Sequence, residues 1–174
     1  QWDMAVVGGG IVGLSTAASV KERHPDWRVV VLERGLLPTG ASTKNAGFAC
    51  FGSLTEILSD LATDGEELTF EMTKQRIGGL QLLLERLGST AMDFQQLGGY
   101  ELLFESQAAA VEEIARVNRF LRPIFDSEVF ASKPELISQF GFSPTHVKHL
   151  IFNPFEGQID TGKTLMALLQ HVQR

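Results

Sequence analysis

Met4-Ala-Val-Val-Gly-Gly-Gly-Ile-Val-Gly-Leu-Ser-Thr-Ala17 opens the chain, and Glu33 follows twenty residues after Gly13. The apolar run Met4 to Val7 predicts a strand, the glycines a turn, and the residues from Gly10 or Ile11 onward a helix barred by Pro25. Arg28-Val-Val-Val-Leu32 predicts a second strand, rich in β-branched residues. Such uninterrupted apolar runs suit parallel strands covered on both faces. Strand, glycine turn, helix and a strand ending in an acid form the layout of a dinucleotide-binding βαβ unit. In that layout Gly8 permits the tight turn and Gly10 lets the backbone approach a pyrophosphate. Gly13, lacking a Cβ, lets the helix pack against the sheet. The first helical residues, Ile11 and Val12, present free N–H groups and the positive dipole end to the phosphates. Glu33 is placed to accept hydrogen bonds from ribose hydroxyls. The alternative is a purely structural glycine turn beside an exposed Glu33.

The βαβ unit alone does not separate NAD from FAD. The following stretch does: Glu33-Arg-Gly-Leu-Leu-Pro-Thr-Gly-Ala-Ser-Thr-Lys-Asn-Ala-Gly-Phe48. It resembles the D-amino-acid-oxidase-like superfamily of flavoenzymes, in which an acid-Arg-Gly strand end leads into a Gly-Ala-Ser…Asn-Ala-Gly segment beside the flavin. The resemblance implies FAD as cofactor, with Arg34 in the strand-end motif. It also implies that Ser42, Thr43, Lys44, Asn45, Ala46 and Gly47 line the pyrophosphate and isoalloxazine. Small residues and polar side chains suit that task, although an ordinary polar loop after a strand reads the same way. Some relatives attach the flavin through a His near the position of Lys44. No His lies in this segment, so non-covalent FAD is expected. Lys44 either places a positive charge near the flavin or is simply solvated.

The fold class implied is α/β: a Rossmann-like FAD-binding core with the start of a mixed α+β substrate domain, part of a larger two-domain fold. The expected organisation is a core and flavin-side loop over 1–53, a helical segment over 54–88, part of the substrate domain over 89–153, and a return toward the FAD domain over 154–174. Helices are predicted over Leu54 to Leu61 and Glu66 to Leu87, with Glu22 on the solvent face of the first helix. Gly98-Gly99 within Phe94 to Phe104 reads as a hairpin. Gln107 to Leu121 reads as an amphipathic helix ended by Pro123, and Pro134 to Phe140 as a short helix. His146 to Phe152 reads as a strand and Thr161 to Val172 as a last helix, with Thr161 at its N-cap.

Gly157-Gln-Ile-Asp-Thr-Gly-Lys-Thr164 matches the phosphate-loop pattern GxxxxGK[ST] and suggests a nucleotide triphosphatase with Lys163 on phosphate and Thr164 on magnesium. Asp160 speaks against it, since a carboxylate opposes anion capture. Pro154 and Phe155 also break the run into the loop. The match is read as accidental.

Composition sets further bounds. The net charge of −6 disfavours nucleic acid and anionic membranes as partners. No apolar run is long enough for a transmembrane segment. The single cysteine, Cys50, precludes an internal disulfide and suits a reducing, cytoplasmic setting. The four histidines show no metal-ligand spacing, so no metal is expected. Gln1 at the start, and a final helix with no strand after it, lead to the expectation of a truncated chain, inactive alone. The reading is an FAD-dependent oxidoreductase that oxidises the α-carbon of an amino acid or related amine, with catalytic residues unassigned. Arg76 and Arg86 remain open as carboxylate-binding groups. An FAD-dependent 2-hydroxy-acid dehydrogenase is the nearest alternative, followed by the triphosphatase and a non-catalytic flavin-binding module.

Overall fold

The computed structural model describes residues 1–173. In chain order the elements are β1 (Met4–Val7), α1 (Ile11–Arg23), β2 (Val29–Leu32), β3 (Phe48–Ala49), α2 (Leu54–Leu87), α3 (Ser89–Met92), β4 (Gly99–Phe104), α4 (Ile114–Phe125), β5 (Ala131–Ser132), α5 (Glu135–Gln139), β6 (Val147–Asn153), β7 (Gly157–Gln158) and α6 (Thr161–Val172). They form two compact units. Among the described residues one comprises 1–48, 82–95 and 158–173, the other 49–81 and 96–157.

In the first unit β1 and β2 run parallel, Met4 opposite Val29 and Val7 opposite Leu32. The crossover is α1, which starts at Ile11 as the glycine pattern predicts. It ends at His24, whose N–H closes the last turn on the Val20 carbonyl before Pro25. Leu14 is fully buried against Leu165 and Leu168 of α6, joined by Ile11, Val31, Leu83 and Leu87. The expectation of strands covered on both faces is not met among the described residues. Val6 is buried, but Val7 is 85% and Leu32 53% exposed, because α1 covers one face only.

The second unit is built on an antiparallel sheet of order β4-β6-β5. Leu103 and Ile151 on one sheet face join Phe51, Leu54 and Ile57 and the buried stripe Val117 and Leu121 of α4 in the main core. Val147 and Leu150 pack with Ile137 of α5 in a smaller cluster. Asn118 of α4 is buried with both ends of its amide bonded: Nδ2 donates to the Phe130 carbonyl, and Oδ1 accepts the N–H groups of Val129 and Phe130.

Two expectations are corrected here. Gly98-Gly99 is not a hairpin turn, since β4 pairs with the distant β6. Gly98 instead has φ +77, and a Cβ there would stand 2.3 Å from the Phe152 ring. The amphipathic segment begins as a 3₁₀ stretch over Glu105–Glu113, and α4 runs past Pro123 to Phe125 before Asp126 takes the left-handed conformation. Pro123 sits in the last turn, where the missing N–H costs a single helical bond. The break expected between the helices Leu54 to Leu61 and Glu66 to Leu87 is, by contrast, present: within α2 Gly65 has the non-helical φ 81 and ψ 173.

Candidate functional site

The glycine turn folds as its spacing requires. Gly8 has φ +99, which L side chains rarely adopt, and its N–H donates to the Leu32 carbonyl at 2.8 Å. A Cβ on Gly13 would lie 2.0 Å from the Gly8 carbonyl oxygen and 3.3 Å from Val6 Cγ1. Helix and strand are therefore in contact through backbone. The first in-helix bond of α1 runs from the Leu14 N–H to the Gly10 carbonyl. Ahead of it, the Ile11 N–H donates to Ser42 Oγ at 3.0 Å. The Val12 and Gly13 N–H groups precede the first bonded donor, Leu14, and point out of the helix end. A Cβ on Gly10 would meet only Ser42, at 3.0 Å from Oγ.

Glu33 leaves the end of β2 and reaches back across this turn. Its Oε2 accepts the Gly9 N–H at 2.8 Å and its Oε1 the Gly35 N–H at 3.1 Å. The Gly9 and Gly35 N–H groups hold its carboxyl below the usual range, so it is a carboxylate at neutral pH. Arg34 beside it is exposed.

The loop from Gly40 to Gly47 is organised by its own side chains. Asn45 Nδ2 donates to the carbonyls of Ala41 and Ser42, while its Oδ1 accepts the Gly47 N–H at 3.0 Å. Thr43 Oγ1 donates to the Gly40 carbonyl at 3.2 Å. Gly47, with φ +76, abuts the Ile159 carbonyl so closely that a Cβ would stand 2.4 Å from that oxygen. Lys44 and Ala46 are exposed. Ser42 is thus brought directly to the α1 N-terminus, whereas Asn45 and Thr43 chiefly shape the loop. The Ser42–Ile11 and Glu33–Gly9 contacts link positions 31 and 24 residues apart, and neither could be read from local spacing.

The phosphate-loop match folds differently from its namesake. Asp160 is the N-cap of α6 in place of Thr161, and its Oδ1 accepts the Lys163 N–H at 2.8 Å. Asp is as good a cap as Thr and stands one residue earlier. Thr164 Oγ1 donates to the Asp160 carbonyl, and Lys163 Nζ pairs with Asp93 at 2.7 Å. Arg86 is also engaged. Its side chain is 6% exposed, and it donates to both Glu22 oxygens and to Ser19 Oγ at 2.7 Å. Glu22 is therefore an ion-pair partner as well as a surface group. In the second unit Arg76 donates to the Phe51 carbonyl at 3.0 Å and pairs with Asp60 at 3.5 Å.

A parallel βαβ unit, a helix N-terminus opened by three glycines and a carboxylate closing the second strand define a dinucleotide-cofactor cradle. The residues fit the ADP half of FAD, since the cradle is lined by backbone N–H groups with Cβ atoms removed where a pyrophosphate approaches. The chain belongs to the DAO family, FAD dependent oxidoreductase, which matches residues 3–174. FAD is the cofactor of that family. Among solved structures it is similar to glycine oxidase from Geobacillus kaustophilus, at 24% identity and TM-score 0.63, covering 99% of this chain and 44% of that one. It is also similar to iminodiacetate oxidase from Chelativorans sp. BNC1, at 18% identity and TM-score 0.66, covering 98% and 44%. These two likenesses show the fold. In sequence it is 30% identical over 105 residues to the mitochondrial L-2-hydroxyglutarate dehydrogenase of Dictyostelium discoideum, covering 55% of this chain and 23% of that protein. The chain thus spans less than half the length of each. No helix among the described residues is long and apolar enough to cross a membrane.

Proposed function

We propose that this chain supplies the cofactor cradle of an enzyme that oxidises the α-carbon of an amino acid or related amine, with non-covalently bound FAD as hydride acceptor. The observation that carries the cofactor assignment is the backbone contact of Gly13 with Gly8, which sets the α1 N-terminus at the end of β1. In this reading Gly8, Gly10, Ile11, Val12 and Gly13 form the pyrophosphate turn, and Glu33 accepts from the adenosine ribose while keeping the turn folded through Gly9. Ser42 Oγ, which already accepts from Ile11, has its own proton free to donate to a phosphate oxygen. Arg34 and the loop Thr43, Lys44, Asn45, Ala46 and Gly47 lie toward the rest of the cofactor, and Lys44 is the cation of that loop. FAD, when bound, supplies the acceptor for a hydride.

The names glycine oxidase and iminodiacetate oxidase support an amine substrate, and both belong to proteins matched along nearly all of this chain. A second reading, oxidation of a 2-hydroxy acid, is favoured by the L-2-hydroxyglutarate dehydrogenase relative. Cytoplasmic location is our assignment from the single cysteine. The test is anaerobic mixing of the full-length flavoprotein with glycine, sarcosine, D- and L-amino acids and 2-hydroxy acids. Bleaching of the flavin absorbance by amines supports the first reading, and bleaching by hydroxy acids alone replaces it with the second.

A further inference from the structure

The turn between β6 and β7 places a carboxyl where a carboxylate is costly. Asn153, 3% exposed, accepts the Phe155 N–H on Oδ1 at 3.0 Å and donates through Nδ2 to Glu156 Oε1 at 3.2 Å. Phe155 is held by the Phe125 ring, with centroids 4.6 Å apart. The Glu156 side chain folds back over the first residue of β4, so closely that a Cβ on Gly99 would stand 1.8 Å from Oε2. Main-chain contacts tie the same segments. The Gly98 N–H donates to the Glu156 carbonyl at 2.9 Å, and Gln96 Nε2 donates to the Pro154 carbonyl at 3.1 Å.

The charges facing this carboxyl share its sign. Glu56, at the start of α2, accepts the Ser53 N–H, and Glu101 of β4 is held by the Thr55 hydroxyl. Both act on Glu156 through space. The Cys50 thiol is the other titratable neighbour. Arg76 acts on Cys50 while its guanidinium is engaged with the Phe51 carbonyl and Asp60. β6 contributes only the neutral amide of Asn153.

We propose that Glu156 is a proton-operated latch: neutral, it closes the 153–157 turn over Gly99, and ionised, it swings away from Glu56 and Glu101 and loosens the start of β4. Burial, opposed by the Asn153 bond and reinforced by Glu56 and Glu101, pushes its carboxyl up to about 7, so the latch operates near neutral pH. Asn153 and Phe155 stay in place as the turn's anchors, and the Gly98–Glu156 main-chain bond is the contact that loses protection.

The test is hydrogen–deuterium exchange of the peptide around Gly98 in the full-length, FAD-loaded protein, expressed as protection factors so that the intrinsic pH dependence cancels. Between about pH 6 and about pH 8 the wild type should lose protection by roughly three- to fivefold, below the linkage limit of about tenfold for that interval because the side chain is partly solvent-exposed. Glu156→Gln should stay protected throughout, and Glu156→Ala should be poorly protected at both values. Carbon-13 titration of glutamate carboxyls in the wild type gives a readout independent of any variant. Flat wild-type protection, or no glutamate titrating above about pH 6, would overturn the latch.

Discussion

Gly13 and Gly8 meet through backbone alone: there is room for the hydrogen of Gly13 against the Gly8 carbonyl and for nothing larger. Gly13→Val should therefore pry α1 from β1, at about 2–4 kcal/mol of stability, an overpacking cost increased because the obstacle is main chain. Thermal denaturation and FAD content should fall together. Gly10→Ala is the contrast, since its Cβ meets only the movable Ser42 side chain. That variant should fold normally and bind FAD more weakly.

Glu33 performs a structural task and, in the proposed reading, a cofactor task. Glu33→Gln keeps the length of the side chain but loses the charge and one of the two acceptors, because an amide NH2 cannot accept from Gly9 or Gly35. It should lower FAD affinity by about tenfold in titrations of apoprotein, as expected for a hydrogen bond to a charged group. The exposed Glu67 is a suitable control, whereas Glu22 is not, because it holds Arg86. Equal losses at Glu33 and Glu67 would dismiss a specific ribose contact.

The sequence made the βαβ unit legible because each of its parts is local: an apolar tetrapeptide, glycines at fixed offsets, a proline stop and an acid. The bounds of β1 and α6 are those expected, since period and punctuation coincide there. What stayed hidden is long-range. Gly98-Gly99 looks like a turn, but its small size serves Phe152 and Glu156, more than fifty residues away. Arg86 and Asn118 carry no pattern that announces partners 64 and 12 residues distant. In the candidate site, the residue types of the 42–47 loop were visible. That Asn45 braces the loop while Ser42 meets Ile11 depends on the three-dimensional approach of segments 31 residues apart.

Arg86 is nearly sequestered while its partner Glu22 is half in water. Arg86→Ala should cost about 2 kcal/mol through lost packing and lost bonds to Ser19 and Glu22. Glu22→Gln should cost less than about 1 kcal/mol, because Glu22 itself is half in water and the amide oxygen can still accept from Arg86. Chemical denaturation of the two variants checks the order, and a reversal would remove Arg86 from the structural frame.

Global stability should carry the signature of Glu156. Its folded value lies above its ordinary one, so its contribution is complete below about pH 4.5 and is lost as pH rises through about 7. Asp3, Glu22 and Asp93 are held low by Arg28, Arg86 and Lys163, and they act in the opposite sense, losing their contribution on acidification. The melting temperature should consequently decline from mildly acidic to mildly alkaline pH, with a flatter profile in Glu156→Gln.

Lys163→Ala should leave FAD content and turnover within a few-fold, since Lys163 spends its charge on Asp93 at the surface. Magnesium-dependent ATP hydrolysis by the parent, lost in this variant, would restore the triphosphatase reading.

Asp160 makes α6 self-sufficient in a way that bears on how such a motif arises and is lost. The helix carries its own anion, covalently attached and always at full effective concentration, so a free phosphate must compete with a tethered rival. Replacing that one side chain with glycine would leave the letters GxxxxGKT unchanged while removing the occupant. The pattern is therefore silent about the position that decides whether the helix end is available to a ligand.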